Sequence, residues 1–579
     1  MHRQADDLLS EAARRRAQGD RAGALALLEP LFDPAGREGA APASAWALQA
    51  DLLAEAGQAA EAARGLERAT HLWPDDAGLW NRLGMMHHAL GRYTEALAAS
   101  DQVLRLKPQA AVAWLNRART LEALQRLTEA LSCVEHALQI DTASAASWCQ
   151  RGMLLGQLQR HDDAMVAFER ALALQPALAQ VWAQRAGPLR VWRRYDEALA
   201  SCRRALELDA GSSVGWEQQA YCLVAVNRFA EARQSLDRAL QADPANDSAR
   251  FSRGVLRLTL GDYEGGWPDY EVRAAARRAM AGSAAPPWRP GDDPAGRTLL
   301  LRAEQGLGDT LQFCRYAPLL ARAGVRVVLE VPPVLHGLLQ SLGDGVQVIA
   351  AGQALPPHDL QCPLLGVPMR LGTRLESIPA ALPYLEAPQA AVRRWRDLLG
   401  PADPGMKRYG LAFRGNAAHS NDHNRSLTRD AVAALLQQVP GARWHLVQKD
   451  VTVEEANWLA GMAVVDHRAQ LTDFCDTAAL ALCLDAVVSV DTSVAHLAGA
   501  LGVPLHVLLP ASPEWRWLLD RSDSPWYPGA RLYRQSRPGD WSAAVAQLAG
   551  DLGGYAGSDG RQQGLRHAEG MRSANVLPM

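Results

Sequence analysis

Lysine is almost missing from this 579-residue chain. Lys107, Lys407 and Lys449 are the only ones, and arginine carries the rest of the positive charge. We read that bias as genome composition rather than function. There is no basic excess either: the formal net charge is −3, which argues against a dedicated nucleic-acid binder. The eight cysteines form no CxxC pair and no His/Cys cluster at zinc spacing. They are expected to be small buried hydrophobes in a reducing compartment. No run of about 20 apolar residues is available to span a bilayer. The opening MHRQADDLLSEAARRR puts charges where a signal peptide needs an apolar stretch. The expectation is a soluble, cytoplasmic protein. Its 48% hydrophobic content excludes wholesale disorder, and its length exceeds what a single core supports.

What the chain does have is an internal period. Trp46, Trp80, Trp114, Trp148, Trp182 and Trp216 recur every 34 residues. Ala62, Ala96, Ala130, Ala164, Ala198 and Ala232 each follow 16 residues later. Ala69, Ala137, Ala171, Ala205 and Ala239 come seven further on, with Val103 the exception, and Pro74, Pro108, Pro176 and Pro244 close four of the units. Each unit reads as two amphipathic helices, broken in one case at Gly91-Arg92-Tyr93, with the small alanine allowing close approach and the tryptophan filling the space between units. The tryptophans are therefore core, not a cofactor box. The pattern resembles the tetratricopeptide repeat. That resemblance implies an α-solenoid with a peptide- or protein-binding groove. Weaker units at 7–40 and at SARFSRGVLRLTLGDYEGGWPDYEVR have the atypical composition of capping repeats.

After Arg273 the period stops. Residues 274–297 are rich in Ala, Gly and Pro and read as a linker. From Thr298 the runs TLLLRA, VRVVLEV, VQVIA and HDLQCPL read as buried parallel strands, with DTLQFCRYAPLLARAG as a helix between the first two. A second set, YGLAFRG, RWHLVQK, AVVDH, AVVSV and PLHVLLP, follows the helix-like QAAVRRWRDLLG. The fold class expected is α + α/β: a helical array over 1–273, the linker 274–297, two Rossmann-type α/β halves at 298–400 and 401–553 facing each other across a cleft, and a disordered tail at 554–579.

Three stretches could carry chemistry. In Glu304-Gln305-Gly306-Leu307-Gly308-Asp309-Thr310, two glycines permit a tight turn and Asp309 stands at a helix N-terminus, at the strand end where open α/β sheets bind ligands. The loop from Arg414 to Leu427 is long and rich in donors: Asn416, His419, Ser420, His423 and Arg425. That composition suits phosphate or sugar hydroxyls. His419 and His423 lack a third partner for a metal, so no metal site is assigned. In the third stretch, AVVSV delivers Asp491-Thr492-Ser493 to the first turn of a helix that carries His496, an arrangement that favours an anion. Trp515, Trp517, Trp526 and Tyr527 suit either packing or closure of the cleft and are left outside the site.

The turn Gly308-Asp309 and the run Asp491-Thr492-Ser493-x-x-His496 resemble the ADP-heptose:lipopolysaccharide heptosyltransferase family, with Ser493 where the family has glycine. The resemblance implies a GT-B fold, inverting sugar transfer, a nucleotide-sugar co-substrate bound on the 401–553 side, an acceptor on the 298–400 side, and Asp309 as base. It maps the family's phosphate-contacting basic residue onto Arg425. The remaining substrate contacts expected are Gly306, Gly308, Asn416, His419, Lys449, Asp491, Thr492, Ser493 and His496. No DxD triplet is present to bridge a metal to a pyrophosphate, so no metal or other cofactor is expected. The whole arrangement is similar to bacterial tetratricopeptide–glycosyltransferase fusions, some of which glycosylate proteins, flagellin included. The function this implies is transfer to a protein acceptor selected by the repeats. Transfer to a glycan or lipopolysaccharide-type acceptor, and a non-catalytic scaffold with a degenerate transferase domain, are the alternatives.

Overall fold

The computed structural model describes residues 2–32, 41–416 and 422–554. It divides at Cys222 into two compact units. His419 and the expected tail beyond residue 554 lie outside the described residues.

In the first unit helices come in pairs, among them Ala77–Ala89 with Tyr93–Leu106, Ala111–Ala123 with Leu127–Ile140, and Ala145–Gln157 with His161–Leu174. The periodic alanines Ala62, Ala96, Ala130, Ala164 and Ala198 are fully buried between the paired helices. The repeating tryptophans are only partly buried after Trp46, and their indole N–H groups are committed. Trp80 donates to the Pro74 carbonyl at 2.8 Å, Trp114 to Pro108 at 3.0 Å, Trp148 to Thr142 at 2.9 Å and Trp182 to Pro176 at 2.9 Å. Each one thereby pins a helix to the turn that precedes it. The break within each pair falls on a left-handed residue: Gly57, Gly91, Gln125, Gln159 and Arg193, again 34 residues apart. That conformation satisfies carbonyls at the end of the first helix and turns the chain back. Among the described residues no helix is long and apolar enough to cross a membrane.

The second unit opens with helices Phe229–Ala242, Asp247–Thr259 and Tyr263–Tyr270 and continues into two parallel sheets. Gly254 and Gly266 let the last two helices touch. A Cβ on Gly254 would lie 2.6 Å from the Tyr270 nitrogen, and one on Gly266 2.8 Å from Leu258. The first sheet holds β1 (Thr298–Arg302), β2 (Arg326–Val331), β3 (Val346–Ala350) and β4 (Leu360–Pro363) in the order β3-β2-β1-β4. The second holds β5 (Lys407–Ala412), β6 (Ala442–Leu446), β7 (Val465–Asp466), β8 (Ala486–Val490), β9 (Leu505–Leu509) and β10 (Ala530–Arg534) in the order β10-β9-β8-β5-β6-β7. All the pairings are parallel, and β8 and β9 are buried along their whole length. In both sheets the order reverses beside the first strand, between β1 and β4 and between β5 and β8. Doubly wound sheets bind ligands at such switch points.

Three details differ from the sequence reading. The helix expected over DTLQFCRYAPLLARAG is two helices, Leu307–Phe313 and Tyr316–Arg322. Pro318 has no N–H for the Cys314 carbonyl and its ring would clash there, so the helix breaks at Cys314–Arg315. Residues 274–297, read as a linker, contain the helix Ala274–Ala279 and the buried Trp288. The Trp288 amide donates to the Gln361 carbonyl at 2.8 Å, which lays this stretch along β4. An irregular segment packed on a sheet edge has the same Pro/Gly composition as a free linker. The strand β10, ARLYR, is missing from the sequence reading because its polar ends hide the apolar run.

The helices 247–270 and both sheets form one packed body. Tyr263, Trp267, Tyr270, Phe313, Trp515 and Trp526 are all buried in one cluster. The Trp526 indole donates to the Tyr263 hydroxyl at 3.0 Å, and that of Trp267 to the Thr373 carbonyl at 2.8 Å. Arg273 lies at the end of the helical segment and Glu304 at the start of the loop after β1. They form a two-pronged ion pair at 2.5 and 3.0 Å, with both side chains almost fully buried.

Candidate functional site

The loops at the carboxyl ends of β1, β5, β6 and β8 line one cleft of about 830 Å³ in the second unit. Gly306, Gly308, Asp309, Asn416, Arg425, Lys449, Asp491, Thr492, Ser493 and His496 all face it. The described residues expected to contact substrate thus meet here, although they are spread from Gly306 to His496 in the chain; His423 does not line the cleft. The volume falls within the range typical of small-molecule pockets.

Leaving β1, Glu304 is tied to Arg273 and to the Leu365 amide at 3.0 Å, which fixes the start of the turn. Asp309 lies in the first turn of the next helix, and its Oδ2 accepts from the Gly306 amide at 2.9 Å. Its Oδ1 accepts from the Arg516 guanidinium. A carboxylate has about four lone-pair positions, and these contacts use two of them. Gly308 serves a packing purpose: a Cβ there would lie 2.7 Å from His496 Cδ2. The glycine lets the helix Leu307–Phe313 cross the helix Ser493–Ala500 at close range.

At the end of β5, the Phe413 and Arg414 amides donate to Gln448 Oε1 at 2.7 and 3.2 Å, fastening this loop to the one after β6. Gly415 leaves room for Arg425, whose Nε would otherwise lie 2.4 Å from a Cβ. Arg425 Nη1 donates to the Asp491 carbonyl at 3.1 Å and its Nε to Asp422 at 3.3 Å. Its guanidinium therefore bridges the loops after β5 and β8. Arg414 is held by Glu455 at 2.7 Å. Lys449 is exposed on the cleft wall and, among the described residues, takes part in no ion pair.

After β8, Thr492 Oγ1 accepts from the Val494 amide at 3.2 Å, so this hydroxyl caps the helix Ser493–Ala500. His496 is buried, its Nδ1 paired with the Tyr527 hydroxyl at 2.9 Å and its Nε2 3.8 Å from Asp491. Its ring stacks on Trp517 with centroids 5.5 Å apart. Burial, reinforced by Arg516, Arg315 and Arg425, holds its pKa well below the usual histidine value. The imidazole is neutral at neutral pH and contributes shape, not the positive charge expected for a phosphate contact. Trp515, Trp517, Trp526 and Tyr527 are all buried, so they pack; only Trp515 reaches the cleft wall.

Sequence reasoning missed Arg516 and Glu514. Arg516 is buried over the face of Trp515, 4.4 Å from the ring centroid, with Glu514 3.3 Å from its Nη1. Burial pulls the Arg516 pKa down, but Asp309 together with Tyr270, Glu514 and Asp491 more than offsets it, and the guanidinium stays charged. Burial pushes the Glu514 carboxyl up, against the pull of Arg516. The signal for both was the run Glu514-Trp515-Arg516-Trp517: charges between large aromatics are buried charges, and buried charges need partners. The helical segment also reaches the cleft, through Phe251, Val255 and Tyr270. Among the described residues no group of three His, Cys, Asp or Glu side chains is placed to hold a metal.

The tetratricopeptide repeat family matches residues 47–111, 89–145, 145–178 and 218–280. The protein carries tetratricopeptide repeats, a scaffold for protein interaction. Protein FlbA of Caulobacter vibrioides is 26% identical over 338 residues, covering 53% of this chain and 55% of that protein. The chain thus spans about half the length of that relative. Among solved structures, a tetratricopeptide repeat protein of Parabacteroides merdae is 14% identical, covering 44% of this chain and 99% of its own at a TM-score of 0.39. The thermophilic repeat protein TTC0263 of Thermus thermophilus is 23% identical, covering 31% and 99% at a TM-score of 0.30.

Proposed function

We propose that the cleft binds a nucleotide sugar and that the protein is an inverting, metal-independent glycosyltransferase of the GT-B type, acting on a protein acceptor selected by the repeats. The observation that carries this reading is the convergence of loops from two parallel sheets, each at its switch point, on one cleft with a carboxylate on one side and cations on the other. Doubly wound sheets suit a nucleotide. The exposed Lys449 and the N-terminus of the helix Ser493–Ala500 suit its diphosphate.

In the reaction so read, an acceptor hydroxyl attacks the anomeric carbon, the bond from that carbon to the diphosphate oxygen breaks, and the hydroxyl proton passes to Asp309. Charge gathering on the departing diphosphate is met by Lys449 and the N-terminus of the helix Ser493–Ala500 at Ser493. Arg425 holds the two loops in place, and His496 fills the wall behind them.

Calorimetric titration of the full chain with UDP, GDP, ADP and CMP tests the donor site. One nucleotide is expected to bind in the micromolar range, with affinity falling about tenfold in Lys449→Ala and with added salt. A folded protein silent to the whole panel would overturn the donor site. Asp309→Asn is expected to abolish sugar transfer while a co-purified acceptor protein still binds. Retained transfer in that variant would remove Asp309 from the base role.

A further inference from the structure

Among the described residues, Arg516 is the cleft's one cation that is both buried and bound to the carboxylate read above as the base. Its Nη2 donates to Asp309 Oδ1, and its Nη1 lies 3.3 Å from Glu514 Oε2. Among the described residues its Nε is buried without a hydrogen-bond partner, although the residue lines the cleft. The guanidinium lies over Trp515, and a stacked guanidinium can turn in its own plane without losing the ring. The strongest partner of the base is thus a neighbouring cation, and among the described residues that cation has an unused donor.

We infer that Arg516, held here by Asp309, is a diphosphate-binding residue, so that binding of the donor exchanges one ion pair for another and frees the carboxylate. The inference rests on the donor-site reading and adds an order to it. Asp309 keeps its Gly306 contact throughout and so stays oriented. Arg516 exchanges a single carboxylate charge for the denser charge of a diphosphate, and its Nε gains an acceptor. The base becomes available only when a sugar is present to be attacked.

The exchange makes a prediction that simple electrostatics does not. If part of the binding free energy goes into drawing Arg516 off Asp309, then removing the Asp309 charge tightens diphosphate binding, and does so through Arg516. The test is a double-mutant cycle on the full chain, reading the calorimetric Kd of whichever of UDP, GDP and ADP binds the unmodified protein most tightly. Asp309→Asn is expected to tighten binding on the order of tenfold, a coupling typical of linked sites. Arg516→Gln is expected to weaken it by a similar factor. In the Arg516→Gln background, Asp309→Asn is expected to change Kd by less than about twofold, the range of simple additivity. Equal tightening in both backgrounds would mean that only a repelling charge had been removed and would overturn the inference, as would no tightening at all. Where Arg516→Gln does not fold, Arg516→Lys replaces it. It reaches the carboxylate with one ammonium group, and the gain from Asp309→Asn should fall by half or more; an undiminished gain overturns the exchange. Failure of all three to bind the unmodified protein removes the diphosphate reading of the site and this inference with it, whereas binding without coupling removes only the role of Arg516.

Discussion

Gly308 and His496 occupy the crossing of two helices that belong to different sheets, and the space between them is that of a missing methyl group. A Cβ on Gly308 would come within 2.7 Å of His496 Cδ2 and 3.5 Å of the Ser493 backbone. His496 cannot yield easily, because Tyr527 holds its Nδ1 and Trp517 its face. Gly308→Ala is therefore expected to destabilise the second unit by about 1–3 kcal/mol, the usual cost of overpacking. Urea unfolding followed by tryptophan fluorescence measures it. An unchanged midpoint would show that the helices separate freely, and that the glycine serves the ligand instead of the fold.

Arg273 and Glu304 join the helical segment to the first sheet through a buried ion pair. Removing one partner leaves the other buried and unpaired, which costs about 3–5 kcal/mol. Arg273→Met should therefore lower the stability of the second unit by that amount. The double variant Arg273→Met with Glu304→Gln should recover much of the loss, since the amide oxygen still accepts from Leu365 and carries no charge. Denaturant unfolding of the single and double variants decides it. Equal losses would mean that the pair matters through its shape alone.

The period of 34 residues was legible because every repeat places Trp and Ala in the same local environment, and local pattern is what a sequence displays. The cleft residues were legible for a related reason. Parallel strands send their carboxyl ends to one edge, so Asp309, Arg425 and Asp491 meet there whatever their separation in the chain. Arg516 was not legible. It sits 207 residues from Asp309, in an aromatic run whose register no periodicity fixes, and only the folded chain shows which carboxylate it reaches. Trp288 was hidden in the same way, by Pro and Gly residues that describe a free linker and a packed edge equally well.

The left-handed turns inside the repeats carry an avoidable strain. Gly57 and Gly91 adopt this conformation without steric cost, but Gln125 holds it at φ 60° and Gln159 at φ 61°. A side chain there costs roughly 1–2 kcal/mol, part of which is returned by the lower entropy of the unfolded chain. Gln125 is exposed, and its side-chain contact is a 3.4 Å bond to the Glu122 carbonyl. Gln125→Gly is expected to stabilise the first unit by about 0.5–1 kcal/mol and to leave nucleotide binding unchanged. Thermal unfolding shows the gain as a higher midpoint. A lower midpoint would mean that the Glu122 contact outweighs the backbone strain.

Two buried histidines make the stability of the second unit depend on mild acidity. Burial holds His506 down to about 4 and His445 to about 3, against an ordinary value of 6.5. Arg531 adds to the first shift and Asp551 opposes it, while His467, Arg443 and Arg408 add to the second. His506 Nδ1 pairs with the Tyr533 hydroxyl at 2.8 Å, and His445 Nδ1 with His467 at 2.9 Å. Below pH 6.5 the unfolded chain protonates these rings and the folded chain does not, so the unfolded state binds more protons. Stability is then full above pH 6.5 and falls as the pH drops toward 4. Each ring contributes at most about 1.4 kcal/mol per pH unit. The Tyr533 hydroxyl donates to Asp551 at 2.7 Å and so accepts from His506 Nδ1–H. His506→Gln keeps a donor for Tyr533 but cannot take up a proton, so it should flatten the slope between pH 6.5 and 5 by about one proton. Urea unfolding across that interval, before most carboxylates titrate, reads the slope directly. If it is the same with and without His506, the folded protein protonates this ring as readily as the unfolded chain does, and its burial carries no cost.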